Sequence, residues 1–67
     1  MSDYLKSFKY TNSKGYHKEL AVYKKVNGKY PVMLWSLDTG DLCGKGNLTA
    51  QELKDYLKQF DIEGEVE

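Results

Sequence analysis

"KELAVYKKVNGKYPVMLWSL", residues 18–37, decides the fold. Asn27-Gly28 stands between two apolar-rich runs, and a type I′ hairpin turn needs positive φ at both central residues, which this dipeptide adopts readily. With Val26 and Lys29 flanking the turn, an uninterrupted ladder pairs Val22 with Met33 and Leu20 with Trp35. Side chains alternate along strands, so Leu20, Val22, Lys24, Pro31, Met33 and Trp35 then share one face, and Ala21, Tyr23, Lys25, Tyr30, Val32 and Leu34 the other. Both faces are partly apolar. Such a sheet packs a helix on one side and offers aromatics on the other, or meets another subunit; the pattern leaves open which face is which. Pro31 lacks an N–H, which expects a locally unpaired strand or a non-bonded position.

Working outward, "LKSFKYT" (5–11) alternates, with Phe8 and Tyr10 on one side, and "NSKG" (12–15) supplies a turn, giving a strand before the hairpin. On the other side, "GDLCGKGNLT" (40–49) places two glycines around a lysine ahead of a helix start. A P-loop needs G-x-x-x-x-G-K-[ST], and here one spacer is missing and Gly46 replaces the hydroxyl residue, so a nucleotidase is excluded. The reading that remains is a short strand, "DLC", then a tight turn on Gly44 and Gly46 with Lys45 exposed at its tip. The helix itself is well marked. Thr49 and Glu52 form a capping box, Leu48 and Leu53 a hydrophobic staple, and Leu53, Tyr56, Leu57 and Phe60 one apolar stripe. That stripe must face the sheet or another chain. The closing "DIEGEVE" reads as a frayed acidic tail.

The chain has 67 residues, one domain near the lower size limit for folding unaided. Below about 70 to 80 residues a metal, disulfides or a partner subunit usually assists, so self-association is expected. Cys43 is the single cysteine, which rules out an internal disulfide, fits a reducing cytosol and reads as a small packed hydrophobe. No apolar run reaches the roughly 18 residues of a membrane span, and the start lacks a signal-peptide core. The net charge is zero, but residues 1–30 carry seven lysines against Asp3 and Glu19, while residues 31–67 carry three against eight acids. This asymmetry expects a basic face. All the basic residues except His17 are lysines, which suits phosphates as point charges and not the bidentate reading of guanine in a duplex. One His and one Cys make neither a metal site nor a triad, and Asp38 and Asp41 read as turn residues, so no enzyme, metal or cofactor is expected.

Tyr10, Tyr16, Tyr23, Tyr30 and Trp35 alternate with Lys9, Lys14, Lys18, Lys24, Lys25 and Lys29. Single-stranded nucleic acid is bound by such a combination, cations along the backbone and rings against bases. The same alternation also describes an ordinary half-exposed sheet. The order of motifs adds to this. "KGYHKEL" (14–20), "KYPVMLWS" (29–36), "DTGDLCGKGNLT" (38–49) and "AQELKDYLKQF" (50–60) together resemble the transcriptional coactivator positive cofactor four family, most of all its small bacterial members.

The resemblance implies an α+β fold, a four-stranded antiparallel β-meander followed by one C-terminal α-helix over residues 1–60, with 61–67 as the tail. It implies a homodimer joined through the helix residues Leu53, Tyr56, Leu57 and Phe60 and through sheet edges. It further implies binding of single-stranded DNA or RNA with little sequence preference, in transcription, replication or repair, by a cytoplasmic, nucleoid-associated protein. By position, Tyr16 matches the family's aromatic, Lys18 its basic neighbour, Trp35 the aromatic of the third strand, and Lys45 the Gly-Lys-Gly turn. With the further lysines of the basic half, the expected nucleic-acid site is Lys14, Tyr16, Lys18, Lys24, Lys25, Lys29, Trp35 and Lys45. His17 and Met33 depart from the family by standing where basic residues are expected, which removes charge from the groove. Trp35 has a second reading as the cross-strand partner of Leu20 in a dimer core. The competing function is a protein-interaction module that keeps the fold, using its acidic half.

Overall fold

The computed structural model describes residues 4–62. Strands β1 (Tyr4–Thr11), β2 (His17–Tyr23), β3 (Tyr30–Ser36) and β4 (Leu42–Leu48) form one antiparallel sheet in chain order, and helix α1 (Ala50–Gln59) follows. Phe8, Leu20, Val22, Tyr30 and Val32 line one sheet face and are buried with Leu53 and Leu57 of α1; Leu34, Leu48, Tyr56 and Ile62 pack against them. No helix is long and apolar enough to cross a membrane among the described residues.

The predicted turn forms, with Asn27 at φ 51 and Gly28 at φ 81, and Val26 and Lys29 exchange backbone bonds of 2.7 and 3.0 Å. The ladder beyond it differs from the expected one by one residue: Val22 opposes Val32, Ala21 opposes Met33, Leu20 opposes Leu34 and Glu19 opposes Trp35. One extra residue is absorbed on the β2 side between Tyr23 and Val26. The reason is the core. Leu20 and Val22 are buried, and the slip brings Val32 and Leu34 to their side of the sheet while sending Met33 and Trp35 to the opposite one, as any one-residue slip must. Trp35 is therefore not the partner of Leu20. Pro31 lies past the last β2–β3 pair, so this inner strand has only β4 beside it there.

A second correction concerns Gly44-Lys45-Gly46, which is not a turn. It runs through the middle of β4, opposite Leu34, Met33 and Val32 respectively. The strand starts with a bulge, since Leu42 opposes Trp35 and Gly44 opposes Leu34, leaving Cys43 without a partner residue. Cys43 is exposed there, not packed as expected. The connection before β4 is held from across the sheet. Asp38 Oδ2 accepts the His17 backbone N–H at 3.0 Å, and the Leu37 N–H reaches the His17 carbonyl at 2.9 Å. Gly40, at φ 77, turns the chain so that its N–H meets the Ser36 carbonyl at 2.8 Å.

Helix α1 starts at the expected capping box. The Glu52 N–H donates to Thr49 Oγ1 at 3.2 Å and the Thr49 N–H to Glu52 Oε1 at 2.9 Å. At the other end, the Asp61 N–H meets the Lys58 carbonyl at 3.2 Å and the Ile62 N–H the Leu57 carbonyl at 2.8 Å, the double bond of a Schellman closure. Ile62 then folds onto the core. The ordered unit thus extends two residues past the expected boundary at residue 60; the remainder of the expected tail, residues 63–67, lies outside the described residues. The apolar stripe of α1 is taken up inside one chain: Leu53 is 1% exposed, Leu57 is buried, Tyr56 meets Tyr10 edge to face and Phe60 lies tilted against Tyr10.

Candidate nucleic-acid interface

The two sheet faces differ because α1 lies on one only. The face away from it carries Ser7, Lys9 and Thr11 of β1, Glu19, Ala21 and Tyr23 of β2, Pro31, Met33 and Trp35 of β3, and Lys45 and Asn47 of β4, by strand alternation and register. No described element covers it. Ala21 is nonetheless buried, hidden by the side chains around it.

An apolar strip crosses this open face. Tyr4 and Tyr23 meet edge to face with centroids 5.9 Å apart, the Tyr23 hydroxyl lies 4.0 Å from Met33 Sδ, and Trp35 follows two residues along β3 between Glu19 and Leu42. Lys45 stands opposite Met33 in the register. Next to it a groove of about 600 Å³ opens at the hairpin end of the sheet, lined by Tyr23, Lys24, Pro31, Met33, Lys45 and Asn47 among others. Two lysines here share the groove lining with apolar surfaces. In such a setting a phosphate gains from both charges while a flat apolar group covers those surfaces, and the arrangement asks for no directional donor such as arginine.

The expected site residues fall into three groups. Lys24, Trp35 and Lys45 belong to the open face or its groove. Lys14, Tyr16 and Lys18 gather at the opposite end of the sheet, roughly 20 Å from the groove at about 3.3 Å per strand residue, with Trp35 one register step from Lys18. There the Asn12 side chain accepts the N–H groups of Lys14 and Tyr16 at 2.9 and 3.0 Å, shaping the turn. Tyr16 is 54% exposed, and the Lys18 ammonium lies 5.8 Å from its ring centroid while donating to Cys43 Sγ at 3.3 Å. Lys18 opposes Ser36 and Tyr10, so its side chain leaves from the helix-bearing side. Lys25 and Lys29 form the third group around the hairpin. Lys25 sits 5.2 Å over the ring of Tyr30, a core residue. Glu52 is held below the usual carboxylate range by the Thr49 backbone N–H first and the Thr49 hydroxyl second, with a smaller contribution from Lys29, which places Lys29 toward the start of α1.

Of the interleaved tyrosines, Tyr10 and Tyr30 belong to the helix side. The Tyr10 and Tyr56 hydroxyls lie 2.6 Å apart, and burial, then this bond, push the Tyr56 phenol well above its ordinary value. His17 reaches the open face, where its Nδ1 lies 3.0 Å from Thr11 Oγ1. Met33, Tyr4 and Asn47 were missed in sequence reasoning as residues of this open face and its groove. The signal for them was the alternation itself, once anchored on the correct register.

Set against protein-family models, curated proteins and solved structures, the chain finds no match in any of the three comparisons.

Proposed function

We propose that the chain binds single-stranded nucleic acid on the open sheet face, without strong sequence preference. The observation that supports this best is the coincidence of Trp35, Met33 and Tyr23 with Lys24 and Lys45 on a surface that no described element covers. Unpaired bases have free faces to lay on rings, at about 1 to 3 kcal/mol each, whereas a duplex keeps its bases stacked inside. Lysines supply the sequence-independent attraction to phosphates. The resemblance to the positive cofactor four family points the same way. On this reading Lys24, Trp35 and Lys45 form the centre of the interface, and Lys14, Tyr16, Lys18, Lys25 and Lys29 serve a longer strand leaving at either end. A homodimer, which the resemblance implies, would draw on the sheet edges and the exposed Leu5, Leu37 and Leu42, because the helix stripe is already occupied.

Trp35 is the single tryptophan, so its fluorescence reports on this face. Titration with oligo-dT at several salt concentrations should quench it, with a log-log salt slope near −3 for about four neutralised phosphates on a single strand. Lys45→Glu should weaken binding at least tenfold. Salt-independent binding, or a preference for duplex, refutes the reading.

A further inference from the structure

We infer that the groove at the hairpin end is a slot for one unstacked nucleobase, whose flanking phosphates lie on Lys24 and Lys45. The inference rests on the proposed single-strand reading and adds to it where, and by what chemistry, a base is held. Its lining includes Tyr23, Pro31 and Met33, three apolar surfaces of different stiffness. The tyrosine and proline rings are rigid, while the Met33 thioether, 4.0 Å from the Tyr23 hydroxyl, is polarizable and adapts to a flat π surface. The Met33 thioether offers an apolar contact to the face of a base and nothing to a phosphate. The phosphate contacts fall to Lys24 and Lys45, which line the same groove. Asn47, opposite Pro31 and lining the same groove, carries an amide with donor and acceptor sides, the equipment needed at the polar edge of a base. The volume, about 600 Å³, lies within the range of sites that take small organic ligands, and the slot lies open along the sheet, as a continuous strand requires.

The test compares a labelled dT 12-mer with an abasic 12-mer of equal phosphate number, by anisotropy on the full chain. Wild type should bind the base-bearing strand at least tenfold more tightly. In Met33→Ala that ratio should fall to threefold or less while affinity for the abasic strand stays unchanged. Asn47→Ala, at an exposed position, gives a second loss of discrimination that does not depend on the half-buried Met33 tolerating truncation, and the Met33 methyl resonance should shift with dT and not with the abasic strand. Discrimination that survives both substitutions overturns the slot and leaves the single-strand reading standing, whereas equal binding of both strands by wild type overturns the slot together with the base stacking of that reading. Binding of neither strand overturns the reading itself and the slot with it.

Discussion

Asp61→Gly should stabilise the fold, and the size of the gain follows from the way α1 ends. Asp61 is held at φ 57 by the two bonds that close the helix, from its own N–H to Lys58 and from Ile62 to Leu57. A residue with a Cβ costs roughly 1–2 kcal/mol in that region, aspartate less than most because its short polar chain tolerates it. Its carboxylate also sits at the negative end of the helix dipole, which is unfavourable by roughly 0.3–1 kcal/mol. Against both stands the greater freedom of glycine in the unfolded chain, roughly 0.5–1 kcal/mol. The balance is a gain of about 1 kcal/mol, and in a domain of this size that raises Tm by roughly 4–8 °C. Asp61→Asn removes the charge and keeps the side chain, so it should recover only the dipole part. Circular-dichroism melting at neutral pH and one fixed protein concentration should rank glycine above asparagine and asparagine above wild type. A glycine variant that melts at or below wild type would refute the argument, because the closure would then be free of strain.

Leu53→Ala, which empties the most deeply packed position of α1, should cost about 2–5 kcal/mol and leave so small a domain largely unfolded by urea titration. Gly44→Ala should do the opposite: its backbone lies outside the left-handed region and a Cβ there meets nothing within 4 Å, so a gain of roughly 0.4–1 kcal/mol is expected from the stiffer unfolded chain. The raised phenol of Tyr56 gives an alkaline limit. The folded chain keeps that proton above pH ~10, where the unfolded chain releases it, so stability is full below that pH and declines above it, and Tyr56→Phe should flatten the decline in melts between neutral and alkaline pH. Glu52 has the opposite sign: its lowered carboxyl supports the fold above the ordinary carboxylate range and loses that support as pH falls, a loss that Glu52→Gln should remove from an acid titration.

Local signals in the sequence had local physical causes, and these were legible. The Asn27-Gly28 turn, the Thr49/Glu52 box and the α1 stripe each depend on residues within one turn or one helix, so their chemistry can be recognised without knowing the rest. What failed depends on distant partners. The hairpin register was set by the demand of Leu20 and Val22 for Val32 and Leu34, a packing choice that overrode the shortest ladder from the turn. Gly44 and Gly46 read as a turn because glycine favours turns, yet strand β3 pairs along them and draws them into the sheet. The fold of the chain back onto the core after α1 went unread because the left-handed residue there is aspartate and not the glycine that usually marks such a closure. The candidate site shared the fate of the register. Lys24, Lys45 and Trp35 could be named from lysine and ring positions, but the groove that the two lysines share with Met33, and the place of Trp35 on the same face as Met33, appear only when the faces are assigned correctly.

The surplus residue between Tyr23 and Val26 has a consequence for how this chain can change. Strand alternation is a matter of odd and even, and that single insertion decides the parity of everything downstream in β3. Deleting Lys24 or Lys25 would spare every contact of the turn and still ask the indole and the thioether to trade places with Val32 and Leu34. Length variation at this hairpin is therefore admissible only in steps that preserve the count modulo two, whereas the reverse turn after Thr11, which lies at the sheet's other end, is under no such arithmetic from the β2–β3 ladder.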